Sequence, residues 1–121
     1  MAYKYSIDHS KRRVEISFEG ELSLQDINGL REDTRDDPQF DPAYDQLIDG
    51  RNITSLQAVG SEQVKALATN RAGVHEDGAR RVFVVNTDLG FGFARMFQLL
   101  SNTETDIHVC RSYEEAIDWL G

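Results

Sequence analysis

The first place to look for chemistry is a pair of glycines. Val82-Phe83-Val84-Val85 runs into Asn86-Thr87-Asp88, and Gly90-Phe91-Gly92 then opens a helical pattern. A strand leading into glycines at a helix N-terminus is a common phosphate cradle, because backbone N–H groups and the helix dipole both face the anion. The dinucleotide fingerprint also needs a third glycine, where this chain has Arg95. It needs an acidic residue about twenty positions on as well, and Cys110 and Arg111 stand there. No Gly-Lys-Ser/Thr exists for a phosphate loop. Gly90 and Gly92 therefore read as steric, sparing a side chain where strand turns to helix and the backbone nears a neighbour. No cofactor is expected.

The remaining reactive residue types are scattered. His9, His75 and His108 fall in a predicted hairpin turn, a loop and a strand, without the helical or short-loop spacing of metal ligands, so no metal is expected. Cys110 sits in the last predicted strand with no evident base beside it, which reads as a packed, inert thiol. Asp45, Asp49 and Asp88 lie beside the two inner strands. Asp49 and Asp88 stand at C-terminal strand ends, where parallel sheets present ligand sites. Asp88 reads more simply as a helix N-cap, and Asp49 with Arg51 as a local ion pair bracing its loop. With no nucleophile–base pair to place, the chain is not expected to be an enzyme.

The elements that must position these residues are legible. Tyr3, Tyr5 and Ile7, then Val14, Ile16 and Phe18, alternate with polar residues on either side of a polar turn, the pattern of a hairpin with one buried face. Gly20 is expected to end it. Ser23 and Asp26 form a capping-box variant ahead of Leu24, Ile27 and Leu30, and that helix must stop before Pro38. A short strand from Tyr44 to Ile48 is expected to end at Asp49-Gly50. Ser61 is expected to cap a second helix with Val64, Leu67 and Ala68 facing inward, and residues 73–78 a surface loop. Val82–Val85, apolar throughout, reads as a strand buried on both faces. A third helix, a strand from Asp106 to Cys110, and a last helix opened by the capping box Ser112-Tyr113-Glu114-Glu115 complete the order ββαβαβαβα. This is an α/β fold, a mixed sheet built from an N-terminal hairpin and then βαβαβα, in one domain spanning residues 1–121.

The third helix carries two apolar stripes. Leu89, Phe93, Phe97 and Leu100 are expected to face the sheet. Phe91, Met96 and Leu99 lie off that stripe, around Gly92 and Arg95. Neighbouring helices or Trp119 would cover this second face, or it would meet a second copy, a protein partner or a ligand, to which its aromatic, methionine and arginine content is suited.

Composition excludes several classes. The formal charge is -8 over 121 residues, which disfavours nucleic acid and anionic membrane surfaces, since both attract a positive field. Lys11-Arg12-Arg13 and Arg80-Arg81 are too short to reverse this and read as solvated strand ends. No window approaches the length of a membrane span. A single cysteine cannot form an internal disulfide and suits a reducing cytoplasm.

Three segments, "YDQLIDGRNIT", "RRVFVVNTDLGFGFARMFQ" and "CRSYEEAIDWL", together resemble the SpoIIAA-like proteins, small bacterial single domains related to the STAS domains of anti-sigma factor antagonists. The resemblance implies a mixed sheet with helices packed on it, a fold also likened to lipid-binding CRAL-TRIO domains. In the antagonists a strand ends in Asp, and a Ser-Ser-Gly motif follows whose serine is phosphorylated by a partner kinase. Here Asp49 takes the strand end but Gly50-Arg51-Asn52 follows, and the downstream Thr54 and Ser55 do not match the motif. The expectation is a non-catalytic regulatory or protein-interaction module, forming a homodimer. The alternative is a small carrier of an apolar or lipid-like ligand next to the third helix. On either reading the candidate partner or ligand contacts are Asp49, Arg51, Phe91, Gly92, Arg95, Met96 and Leu99, with Thr54 and Ser55 the candidate phosphorylation positions.

Overall fold

The structure is a computed structural model and describes residues 3–69, 79–100 and 107–121. The predicted loop 73–78, with His75, lies outside them, as do the side chains of Leu67, Ala68 and Leu100. Two strands open the chain, β1 (Tyr3–Asp8) and β2 (Arg13–Glu21), paired antiparallel from Tyr3↔Phe18 to Asp8↔Arg13. The turn between them is tied by Asp8, whose carboxylate accepts from Ser10 Oγ (2.7 Å) and Lys11 N (3.2 Å), and Arg12 adopts a left-handed φ of 53° to close it. There follow α1 (Leu24–Asp36), β3 (Asp45–Ser55), α2 (Ser61–Thr69), β4 (Arg81–Val84), α3 (Asp88–Leu100), β5 (Ile107–Cys110) and α4 (Tyr113–Leu120).

The strands stand in sequence order across one sheet, and every pair after the hairpin is parallel. Crossovers that all step the same way, with the usual right-handed sense, put their helices on one face. Leu30 of α1, Val64 of α2 and Phe97 of α3 accordingly share a core with Ile16, Ile48 and Ile107. Among the described helices only α4 returns along the other face, where Ala116 and Leu120 meet Leu47, Val82, Val84 and Cys110. Being last and short, α4 packs mainly over β3, β4 and β5 and reaches β2 through Tyr113, whose hydroxyl donates to Glu15 Oε1 at 2.6 Å.

Both serines cap their helices as expected: Ser23 Oγ accepts from Asp26 N and Ser112 Oγ from Glu115 N, each at 3.1 Å. Other expectations are corrected. Gly20 does not end β2; at φ +76° it carries one of two register shifts that let the strand run on beside β3 to Glu21. β3 likewise continues through Asp49 to Ser55, because its outer half still finds a partner in Glu19–Glu21. Asp49 is a strand end only with respect to β4, whose pairing stops at Asp49↔Val84. Gly60 takes the cap of α2, its carbonyl accepting from Val64 N (3.1 Å) and its N–H donating to Gln63 Oε1 (3.0 Å), so Ser61 is already the first helical residue. The two basic clusters are not simply solvated ends either, since Arg13 and Arg81 are buried.

Candidate functional site

The face beneath α1 and α3 is not filled. A cavity of about 290 Å³ opens there over β2, β3 and β4. Its floor is Ile16, Phe18, Ile48 and Phe83, and its side walls include Ile27 and Leu30 from α1 and Phe93 and Phe97 from α3. The sequence dictates this lining locally. Residues two apart on a strand share a face, so Ile16 with Phe18, and Gln46 with Ile48, point to the same side as the three crossover helices. The hollow between those helices is therefore apolar, with a volume just at the lower limit of small-molecule sites, about 300 Å³.

Polar residues also reach the wall, among them Arg31, Thr34, Gln46 and Arg81. Arg81 lies along the Phe97 ring, 5.5 Å from its centroid, and its Nε donates to Gln46 Oε1 at 3.1 Å, both residues being buried. Thr34 Oγ1 is engaged with the Leu30 and Arg31 carbonyls of its own helix. Burial pushes the Arg31 guanidinium below its ordinary pKa, yet arginine starts so high that it keeps its charge. The polar part of the wall is thus cationic and neutral.

The geometry of α3 revises the sequence expectation. Ala94, Phe97 and Gln98 are the buried positions among its described side chains, whereas Leu89, placed on the inward stripe, is 67% exposed and stands at the rim of the cavity it helps line. Gln98 is drawn inside because its Nε2 donates to the Ile107 carbonyl at 2.6 Å, and Arg95 then binds the Gln98 amide oxygen. The second stripe is split. Phe91 packs on Val85, Ala94 and Val109 under the Arg111 guanidinium (4.8 Å), and Met96 packs on the main core, leaving Leu99 exposed at 61%. Trp119 is on the opposite face of the sheet and covers none of this; it stacks on His108. A Cβ on Gly90 would come within 3.0 Å of Thr87 Oγ1 and 3.3 Å of Val85, so the steric reading holds there. It fails for Gly92, which faces open space. Thr87, not Asp88, caps α3, accepting from Gly90 N at 3.0 Å; Asp88 is solvated and pairs with Arg111 at 2.9 Å.

Asp49 and Arg51 do pair, on the other face. Two side-chain bonds (2.9 and 2.8 Å) and one from Arg51 N (3.0 Å) converge on the carboxylate, and the Arg51 guanidinium lies 5.4 Å from the Tyr113 ring centroid. The side-chain bond from Arg51 is the main reason that the Asp49 carboxyl is held below its ordinary pKa. Next to them is a second, more polar cavity of about 240 Å³ lined by Lys4, Glu15, Ser17, Asp49 and Tyr113. Thr54 and Ser55 end β3 and line the apolar cavity instead, with Thr54 exposed. The structure therefore does not gather the predicted contacts into one site. Sequence reasoning did not single out Arg31 or Gln46, and it read Arg81 as a solvated strand end. It also missed that Cys110 has His108 and Glu115 beside it.

No family model and no curated protein matches the chain. Among solved structures it is similar to an uncharacterized protein from the DUF3478 family with a SpoIIAA-like fold, from Shewanella loihica PV-4. The TM-score is 0.63 at 16% identity, over 99% of this chain and 94% of that one. The chain has a SpoIIAA-like fold. At that identity the likeness speaks for the fold alone, in agreement with the resemblance read from the sequence. Among the described residues no helix is long and apolar enough to cross a membrane.

Proposed function

We propose that this SpoIIAA-like domain is a small binding protein that takes an apolar ligand bearing an acidic group into the hollow beneath α1 and α3. The observation that carries this reading is the cavity of about 290 Å³, apolar in floor and walls, with Arg31 and Arg81 in its lining. An apolar body gains by leaving water for such a surface, and in a low-dielectric wall a guanidinium favours an anionic head over a neutral one. Leu89 at the rim would lie against the bound molecule. The test is titration of the protein with an environment-sensitive apolar fluorophore, followed by displacement with medium-chain carboxylates and with the matching alcohols. Carboxylates should compete better, and Ile27→Phe, which fills the hollow from α1, should abolish probe binding without loss of stability. Equal competition by alcohol and acid removes the acidic head from the proposal; undiminished binding in Ile27→Phe removes the site.

A regulatory surface is the second reading, favoured by the Asp49–Arg51 pair beside Tyr113 at the start of α4, where the arginine side chain is 40% exposed. Arg51→Glu should abolish binding to a regulatory protein partner and leave fluorophore binding unchanged, which separates the two readings.

A further inference from the structure

On the face away from the cavity, three side chains of different donor chemistry converge. His108 and Cys110 are two apart in β5, the last strand of the sheet, and so point to the same side, toward α4. Glu115 lies in the first turn of α4, fixed there by the bond from its N–H to Ser112 Oγ. One ligand atom from each of the three lies within 4.8 Å of the others, and His108 Nε2 and Glu115 Oε2 are 3.3 Å apart. The imidazole is oriented by the indole of Trp119, stacked on it with centroids 5.0 Å apart and planes 17° from parallel.

We propose that His108, Cys110 and Glu115 form a binding site for a zinc-like divalent ion. Tetrahedral zinc, with bonds of about 2.0–2.3 Å, sets neighbouring donors roughly 3.3–3.7 Å apart. The His108–Glu115 separation already meets that spacing, and closing the rest needs a shift of about an ångström in side chains that are 35% and 57% exposed. The donor set of one thiolate, one imidazole and one carboxylate suits zinc or cobalt and not the hard, all-oxygen ions magnesium and calcium. On binding, Sγ gives its proton to solvent as the metal–sulfur bond forms, with no change of oxidation state. The solvent-facing side leaves a fourth position for water. In sequence the site is hidden, because its ligands span a strand end and a helix start with spacings of two and five.

The experiment uses the full chain, stripped with chelator and titrated with Zn²⁺ and with Co²⁺. One equivalent should bind, Co²⁺ should show thiolate-to-metal charge transfer and tetrahedral d–d absorption, and the fluorescence of the single tryptophan should change. His108→Gln and Glu115→Gln, at partly exposed positions, should each weaken Zn²⁺ binding by at least about tenfold, with Glu114→Gln unchanged. Cys110→Ser should lose the charge-transfer band; should that buried change prevent folding, the two partly exposed variants decide the matter. Absence of thiolate charge transfer in the Co²⁺ protein, or equal affinity in His108→Gln and Glu115→Gln, overturns the proposal. Neither result bears on the apolar cavity, which is on the other side of the sheet.

Discussion

Arg51 holds Asp49 through one edge of its guanidinium, Nε to Oδ1 at 2.9 Å and Nη2 to Oδ2 at 2.8 Å, across a single intervening glycine in the middle of β3. The arginine side chain is 40% exposed and the aspartate 17%, so water screens the pair and its worth should stay below about 1 kcal/mol. Because the folded-state pKa of Asp49 lies below its ordinary 3.8, the contribution is present above that value. It is lost as pH falls through the lower, folded one. Denaturant melts of the wild type and of Arg51→Met should therefore differ slightly near neutrality and converge in acid. A gap that persists or widens in acid would assign the effect of Arg51 to its packing on Tyr113.

The hairpin carries the opposite dependence. Tyr3 donates to Asp33 and Tyr5 to Asp37 (2.8 Å), and both phenols are raised to about 12, Tyr3 chiefly by its hydrogen bond and Tyr5 chiefly by desolvation. A folded value above the unfolded one near 10 means stability fully present below 10 and lost as pH climbs through 12. Ultraviolet titration should find Tyr3 and Tyr5 ionising later than the free phenol, as should Tyr113, raised by its hydrogen bond to Glu15, and Tyr5→Phe should flatten the alkaline fall in melting temperature. Four tyrosines titrating together near 10 would mean these bonds between β1 and α1 do not persist in solution.

Phe91 is the point at which the sequence and the structure part. Half-buried on Val85, Ala94 and Val109, it is an anchor of its own fold. Phe91→Ala should cost about 1–3 kcal/mol, less than a fully buried Phe, and leave the sedimentation coefficient unchanged. A homodimer through α3 would instead centre on Leu99, and Leu99→Glu should dissociate it; a shift in mass with Phe91→Ala alone would restore the face first read from the sequence.

Why some features were legible and others were not follows from how far each signal reaches. Period-two alternation in the hairpin and the serine caps at Ser23 and Ser112 are local, and the structure reproduces them. The continuation of β3 past Asp49 depends on a partner, Glu19–Glu21, that only the register shifts in β2 make available. The phase of α3 depends on the Ile107 carbonyl, which captures Gln98 and draws a polar residue inward. The cavity was the least visible, since its lining comes from three strands and two helices as well as the segments joining them. Arg81 looked solvated because a charged residue at a strand start usually is; here Gln46 and Phe97 accompany it inward.

Gly92 supplies the last prediction. It sits inside α3, solvent-exposed, and a Cβ built on it meets nothing within 4 Å. Its backbone requires no left-handed φ, the positive-φ glycines among the described residues being Gly20 and Gly121. Glycine in a helix interior therefore costs conformational entropy there without a steric return, and Gly92→Ala should stabilise the domain by about 0.5–1 kcal/mol. Gly90→Ala should do the reverse, because its methyl would press on Thr87 Oγ1 and Val85 at the cap of the same helix. Thermal melts of the two variants decide this. If Gly92→Ala is more stable but loses a binding activity that the wild type has, the residue is kept for close approach of a partner backbone to α3. If it is more stable with every activity intact, Gly92 belongs to no site, and the ligand chemistry of this face is confined to the cavity beneath the helix.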